Sequence, residues 1–483
     1  MERIRKFLFL NTSPKQTIIK NTFWLFAGEA LGRLLKMGLI IYVARKLGAD
    51  GWGIFAYALS IASLLMIFSD IGIGSLITRD ATQQKNDYRS FISAALLLKS
   101  ILLVISVILV IFVSPYISNI EEAKILFPII GLIFLFDSIR DIGFAANRIL
   151  EKMEREMVIK VIMNFAILVL GIVLIKINPL PVSVAIAYAV GSGISVILIT
   201  LIIKNNILEF ITKTNIETVK SIFKTAMPLA IVTLIGSIMG NTDIYMLGIW
   251  KTPEDIGLYS AAQRFHQFIL IIPSMIATAT LPLMSRLANK DNLKFKEVLE
   301  KTLSVFMIIG IPTAFGGLIL ADQIIPFLFG LEYIPAIPVL RILMIMLLAS
   351  FPLFLLVNAI FVYNEQKKLV LANVFGVLMN ISLNFLLIPK FGITGAAFAT
   401  LISSIIVTYV IWGKMKKINY FEILPNLKEV VLPAFIMSLV IIMIKKFGID
   451  VISNIVISSV VYFSIVLMTK KTILKELQEI FGK

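Results

Sequence analysis

The sequence predicts an all-α membrane protein: about fourteen transmembrane helices, forming two matched six-helix halves with two additional helices at the C-terminal end. Three observations predict it. The 483 residues are 59% hydrophobic and only 15% charged, with a mean hydropathy of +0.96, whereas soluble domains carry about 25% charge. Apolar runs of spanning length, about 20 residues, recur along the whole chain. Corresponding places six spans apart also resemble each other.

Taken in order, the expected spans lie near 18–44, 52–78, 90–117, 124–147, 157–177, 181–203, 222–249, 256–284, 299–321, 336–362, 369–389, 393–413, 429–446 and 450–469. The connectors are short. Assuming a cytoplasmic N-terminus, the connectors and ends on that side hold about 31 Lys and Arg, against about 9 on the other. This positive-inside asymmetry places both termini in the cytoplasm of a multi-pass cell (inner or plasma) membrane protein. It also accounts for the net charge of +16 through anionic membrane lipids rather than nucleic acid. Trp52 and Trp250 fall at the expected outer interface, with Trp24 and Trp412 nearer the inner one. The basic start "MERIRKFLFLNTSPK" has too short an apolar core and no small-residue cleavage site for a signal peptide.

The repeat is carried by "GADGWGIFAYALS" at the second span and "PEDIGLYSAAQRF" at the eighth, where Gly53 matches Gly257 and Phe55 matches Tyr259. The connectors "EKMEREMVIKV" and "NEQKKLVLANV" echo each other after the fourth and tenth spans. Six is even, so the copies share one orientation, a parallel repeat typical of secondary transporters. The expected organisation is a cytoplasmic segment 1–17, a lobe 18–204, a connector 205–221, a second lobe 222–413, a connector 414–428, two helices over 429–469 and a cytoplasmic tail 470–483.

Charges interrupt the spans. A charge near the bilayer centre costs about 2.5–3.5 kcal/mol on insertion scales. Yet Glu29, Arg33 and Lys36 share one face of the first span, beside Gly32. The fourth span carries Asp137, Arg140, Asp141 and Asn147; the second carries Asp70; the seventh carries Asn241 and Asp243; and the eighth carries Gln263, Arg264, His266 and Gln267. One reading is that acids and bases pair and merely lock helices together, above all Asp137 and Asp141 around Arg140. The other is that spans 1, 2, 4, 7 and 8 line a shared aqueous lumen, while spans 3, 5, 6, 9 and 11–14 form a cleaner lipid-facing shell. Packing glue alone would be met by Ser, Thr or Gly at lower insertion cost, which favours the lumen. His266 reads first as a packed, hydrogen-bonded side chain and only second as a working group.

With no cysteine and one histidine, disulfides and histidine-clustered metal sites are excluded, and no metal site or cofactor is expected. There is no phosphate-binding loop ending in Gly-Lys-Ser/Thr, so the chain is not a self-contained ATP-driven pump. No catalytic residue is expected; a glycan polymerase or ligase would need a large catalytic outer loop, and the connectors are too short for one.

The stretch "NFLLIPKFGITGAAFATLISS", residues 384–404, resembles the L-N-x-x-L-I-P-x-x-G-x-x-G-A-A-x-A-T signature of oligosaccharide flippases in the multidrug/oligosaccharidyl-lipid/polysaccharide exporter superfamily. The opening resembles the same family's first two spans, with the A-R-x-L-G turn at Ala44–Gly48, Gly53, Tyr57, and the D-x-G of Asp70 and Gly72. The resemblance covers essentially the whole chain. It implies a V-shaped, two-lobed bundle (spans 1–6 and 7–12, with 13 and 14 alongside) and alternating access. It also implies a substrate: an oligosaccharide on a polyprenyl phosphate or pyrophosphate, turned from the cytoplasmic to the outer leaflet for surface polysaccharide or glycan assembly.

On that basis Arg33, Lys36, Arg140 and Arg264 are candidates for phosphate, Asn147, Asn241, Gln263 and Gln267 for the sugar, and His266 is a further candidate for the cavity lining. Glu29, Asp70, Asp137, Asp141 and Asp243 are candidates for orienting the cations or taking up a coupling Na+ or H+. A monomer, with glycan-assembly proteins as further partners, is the expected working form. The alternatives are a cation-coupled multidrug exporter and a lipid II (peptidoglycan precursor) flippase.

Overall fold

In the computed structural model, residues 14–69, 73, 88–149, 151–207, 216–422 and 424–469 are described. Asp70 and the tail 470–483 lie outside them, as do most residues of the basic connector near 79–89. The described chain is all-helical: α1 (Pro14–Met66), α2 (Tyr88–Phe112), the short α3 (Ser114–Ile117) and α4 (Glu121–Lys124), α5 (Phe127–Ile149), α6 (Met153–Ile177), α7 (Pro181–Ile207), α8 (Ile216–Trp250), α9 (Pro253–Ile269), α10 (Ile271–Leu287), α11 (Asn292–Phe329), α12 (Ile337–Val362), α13 (Gln366–Ile418), α14 (Leu424–Lys446) and α15 (Val451–Thr469). Among the described residues, nine helical stretches are long and apolar enough to cross a membrane. The protein is therefore an all-helical, multi-span membrane protein.

That number is below the expected fourteen partly because two of the nine stretches lie in 53-residue helices that each contain a break. α1 turns at Gly48 (φ 70°) and α13 at Gly392 (φ 57°). Glycine takes these left-handed conformations without the Cβ penalty of other residues. Both fall in stretches that resemble family motifs, A-R-K-L-G and P-K-F-G-I-T-G. In the second, Pro389 precedes the turn, and a Cβ on Gly395 would meet the Leu387 carbonyl oxygen at 2.4 Å. These motifs mark sharp reversals of the backbone.

The chain divides into two compact units, Met1–Gly257 and Leu258–Lys483. In the first, α1 packs on α6, and α7 on α5 and α6; α8 packs on α1 and α2. The start of α1's second half also crosses the start of α9. A Cβ on Gly53 would stand 1.7 Å from the Pro253 carbonyl oxygen, and one on Gly257 would stand 1.8 Å from that of Ala49. Residues 49 and 53 lie as far apart in the chain as 253 and 257, so the contact is reciprocal, as across a local twofold axis. Gly53 and Gly257, matched in the sequence repeat, thus press on each other's helices. Tyr57 closes the same region, its ring against Gly248 and its hydroxyl accepting from the Asn119 amide at 3.4 Å.

In the second unit, α12 packs on α11 and α13, while α14 and α15 pack on each other and on α11. Lys445 of α14 donates to Asp322 of α11, and the buried Tyr462 of α15 donates to the Ile308 carbonyl at 2.8 Å. An apolar cavity of about 370 Å³ lies among α9, α11, α12, α14 and α15, with Phe265, Met344, Met437 and Tyr462 in its wall. Asp291 caps α11 by accepting from the Lys294 amide at 3.0 Å, which holds its carboxyl below the usual range.

Candidate functional site

A charged face crosses three helices of the first unit, α1, α5 and α6, and small residues place it. Gly28 and Gly32 of α1 sit one turn apart against α6. A Cβ on Gly28 would meet Met157 Cα at 3.0 Å, and one on Gly32 would meet Asn164 Nδ2 at 3.1 Å. Such a small-x-x-x-small stripe lets backbones approach closely. Helical phase then sets Glu29 beside Lys160.

From there the ion pairs run continuously. Arg33 Nε donates to Glu29 Oε1 at 2.6 Å, and Lys160 Nζ lies 3.6 Å from Glu29 Oε2. Lys160 also reaches Glu156 Oε1 at 3.0 Å. Arg148 of α5 grips both oxygens of Glu156, Nε to Oε2 at 2.9 Å and NH2 to Oε1 at 2.8 Å. That two-pronged geometry is the strong form of the pair. Glu156 is fully buried, whereas Glu29 and Arg33 are 41% and 45% exposed.

Phe144 extends the row. Its buried ring has Arg140 Cζ at 5.5 Å and Lys160 Nζ at 5.7 Å from the centroid. Arg140 in turn donates to Asp137 Oδ1 at 2.5 Å and to Asp141 Oδ1 at 2.9 Å, and Ser192 of α7 donates to Asp137 at 2.9 Å. Nearer the start of α1, the buried Lys20 pairs with Glu154 at 3.1 Å. Lys36 is exposed and lies 5.5 Å from the Tyr188 ring centroid.

The structure thus brings together Glu29, Arg33, Arg140, Asp137 and Asp141 with three residues that sequence reasoning missed: Arg148, Glu156 and Lys160. It placed Glu156 in a connector and the fifth span among the cleaner shell helices. Instead the first two turns of α6 carry the centre of the network. The available signal was the Glu156–Lys160 spacing, an i,i+4 acid–base pair that marks a helix face. The pairing and the exposure coexist: carboxylates hold the cations, and several of these groups still face outward from the unit's core.

Other candidates stand elsewhere. Asn147 is fully buried, and neither polar atom of its side chain has a hydrogen-bond partner among the described residues. Asn241 of α8 accepts from Ser60 at 3.0 Å and donates to the Ser237 carbonyl at 3.0 Å, two residues before the buried Asp243. In the second unit, Arg264 donates to Gln267 at 3.2 Å, Gln263 is buried, and His266 is 3% exposed. His266 Nε2 lacks a hydrogen-bond partner among the described residues. Lys99 is buried in α2. Among the described residues, no group of three or more His, Asp or Glu is arranged to hold a metal ion.

Comparison with known proteins gives this arrangement a family. Residues 18–288 match the model described as "Polysaccharide biosynthesis protein", and residues 228–386 match the MatE model. The chain is 24% identical over 408 residues to the capsular polysaccharide biosynthesis protein CapF of Staphylococcus aureus, covering 80% of this chain and 97% of that one. It is 27% identical over 192 residues to the probable low-salt glycan biosynthesis flippase Agl15 of Haloferax volcanii, an alignment of 40% of this chain and only 41% of that relative. The structure of the lipid II flippase MurJ in an inward closed conformation superposes with a TM-score of 0.77 at 20% identity, over 93% of this chain and 99% of that one. The chain belongs to the family described as polysaccharide biosynthesis protein, and its fold is that of the lipid II flippase MurJ.

Proposed function

We propose that this protein turns polyprenyl-phosphate- or pyrophosphate-linked oligosaccharides from the cytoplasmic to the outer leaflet, for surface polysaccharide or glycan assembly. The observation that carries the reading is the row of cations on α1, α5 and α6 within helices of spanning length. A phosphate headgroup cannot enter hydrocarbon unaided, and arginine forks with a lysine beside them offset its desolvation. The isoprenoid tail needs no such help and stays in the bilayer. Asn147 and Asn241 provide amide groups suited to sugar hydroxyls. The matched halves of the sequence suit alternating exposure of the headgroup site to the two sides of the membrane. In this reading the chain crosses the cell membrane about fourteen times with both ends cytoplasmic.

The test is reconstitution of the full chain with fluorescent lipid-linked oligosaccharides, scoring their protection from an external quencher under imposed Na+ or H+ gradients. Wild-type protein equilibrates the lipid across the bilayer, and Arg33→Ala and Arg264→Ala abolish this at unchanged protein level. Normal flipping by both variants removes the phosphate role. Lipid II and cationic drugs, offered in the same vesicles, separate the two alternative activities.

A further inference from the structure

We infer that Glu29 is a built-in, displaceable occupant of the headgroup site, holding Arg33 and Lys160 until a substrate phosphate takes its place. The inference rests on the flippase reading above and assigns the site's resting state. The two oxygens of Glu29 face different cations, Arg33 at 2.6 Å and Lys160 at 3.6 Å. One small anion with oxygens on both cations is also the geometry in which a phosphoryl group would bridge them.

The two carboxylates of the network are not equivalent. Glu156 is fully buried, held by both prongs of Arg148, and lies 3.0 Å from Lys160. It is a fixed counter-ion that orients Lys160. Glu29 is 41% exposed, contacts Lys160 at the longer distance, and comes from a neighbouring helix. An exposed pair of this kind is weak, so an incoming dianion competes well with it. Three cations, Arg33, Lys160 and Arg148, stand against the two carboxylates. Among these five groups the net charge is one positive with Glu29 in place, and swinging Glu29 aside raises it to two. The empty site is thereby kept close to neutral, and its cations become available only to a ligand that brings its own negative charge.

Lys160 is on this account a substrate-binding residue that sets selectivity: it reads a second phosphoryl oxygen, and Glu29 sets how tightly. A purely structural Glu29 would only tie α1 to α6, and its loss would loosen the fold without strengthening any ligand.

The experiment measures binding of geranyl pyrophosphate, a soluble short prenyl pyrophosphate, to the full chain in nanodiscs at low ionic strength, by calorimetry. Glu29→Gln removes the competing charge while keeping the side chain's shape. Binding is expected to tighten about tenfold, with oligosaccharide flipping slowed because release becomes slow. Lys160→Met is expected to weaken binding about tenfold or more. Unchanged or weaker binding by Glu29→Gln overturns the inference, as does unchanged binding by Lys160→Met. If wild-type protein flips lipid-linked oligosaccharides but Glu29→Gln binds no tighter, the inference alone fails. If wild-type protein flips none of them, the flippase reading fails whatever Glu29→Gln does to pyrophosphate binding.

Discussion

The reciprocal crossing at Gly53 and Gly257 gives a quantitative test of packing. Gly53→Ala introduces a methyl group 1.7 Å from the Pro253 carbonyl oxygen, 2.7 Å from its carbon and 2.8 Å from the Gly257 nitrogen. All three are backbone atoms, so no side-chain rotation relieves the clash. Ordinary contact requires the two helices to part by about 1.5 Å, which forfeits more than half of the dispersion energy of each pair that separates. Overpacking in a dense core typically costs about 1–3 kcal/mol. This case belongs at the upper end or beyond, because Trp52, Phe55 and Tyr259, all nearly fully buried, lie beside the two glycines in sequence. Gly257→Ala meets the same obstacle at the Ala49 carbonyl oxygen, 1.8 Å away. The informative measurement is the double variant. Once the crossing has opened for one methyl, the second costs little, so the pair should be less destabilising than the two single losses added together, by about 1 kcal/mol or more. Thermal inactivation of purified protein, followed by fluorescence-detected size exclusion, reads all three. Single variants within about 0.5 kcal/mol of wild type, or strictly additive losses, would refute the shared crossing.

Further predictions concern the charged face and the helix ends. Glu156→Ala leaves Arg148 and Lys160 without their fixed counter-ion; breaking a buried pair costs about 3–5 kcal/mol, and the partial exposure of both cations reduces this to roughly 2–3 kcal/mol, measurable by the same inactivation assay. Asn147→Leu removes two buried polar atoms that lack hydrogen-bond partners and should stabilise the protein by about 1–3 kcal/mol, while impairing flipping if the amide serves a sugar. The carboxyl of Asp291, its pKa lowered by the Lys294 amide and side chain, stabilises the start of α11 above its unfolded pKa of about 3.9. That contribution fades as pH falls through the lower folded value. Hydrogen exchange at the Lys294 amide, compared with neighbouring amides, should therefore accelerate selectively in that acid range, and Asp291→Ala should remove the pH dependence.

The sequence by itself determined the class of molecule and much of its grammar. Hydropathy needs no partner to be legible: a run of twenty apolar residues must be buried in lipid or protein whatever surrounds it. The breaks between the expected spans 18–44 and 52–78, and between 369–389 and 393–413, were legible in the same way, and the structure puts the positive-φ glycines Gly48 and Gly392 in them. So was the match of Gly53 with Gly257, although only the folded chain decided that the matched glycines touch. The candidate site divides along the same line. Arg33 with Glu29, and Arg140 with Asp137 and Asp141, lie within one turn on single helices and could be paired from spacing alone. Lys160 meeting Glu29, and Arg148 meeting Glu156, join residues on different helices or across the α5–α6 turn. Those contacts depend on how closely Gly28 and Gly32 let α1 approach α6, and at what rotation. Linear spacing fixes which residues share a face; the depth and phase of helix packing decide which faces meet.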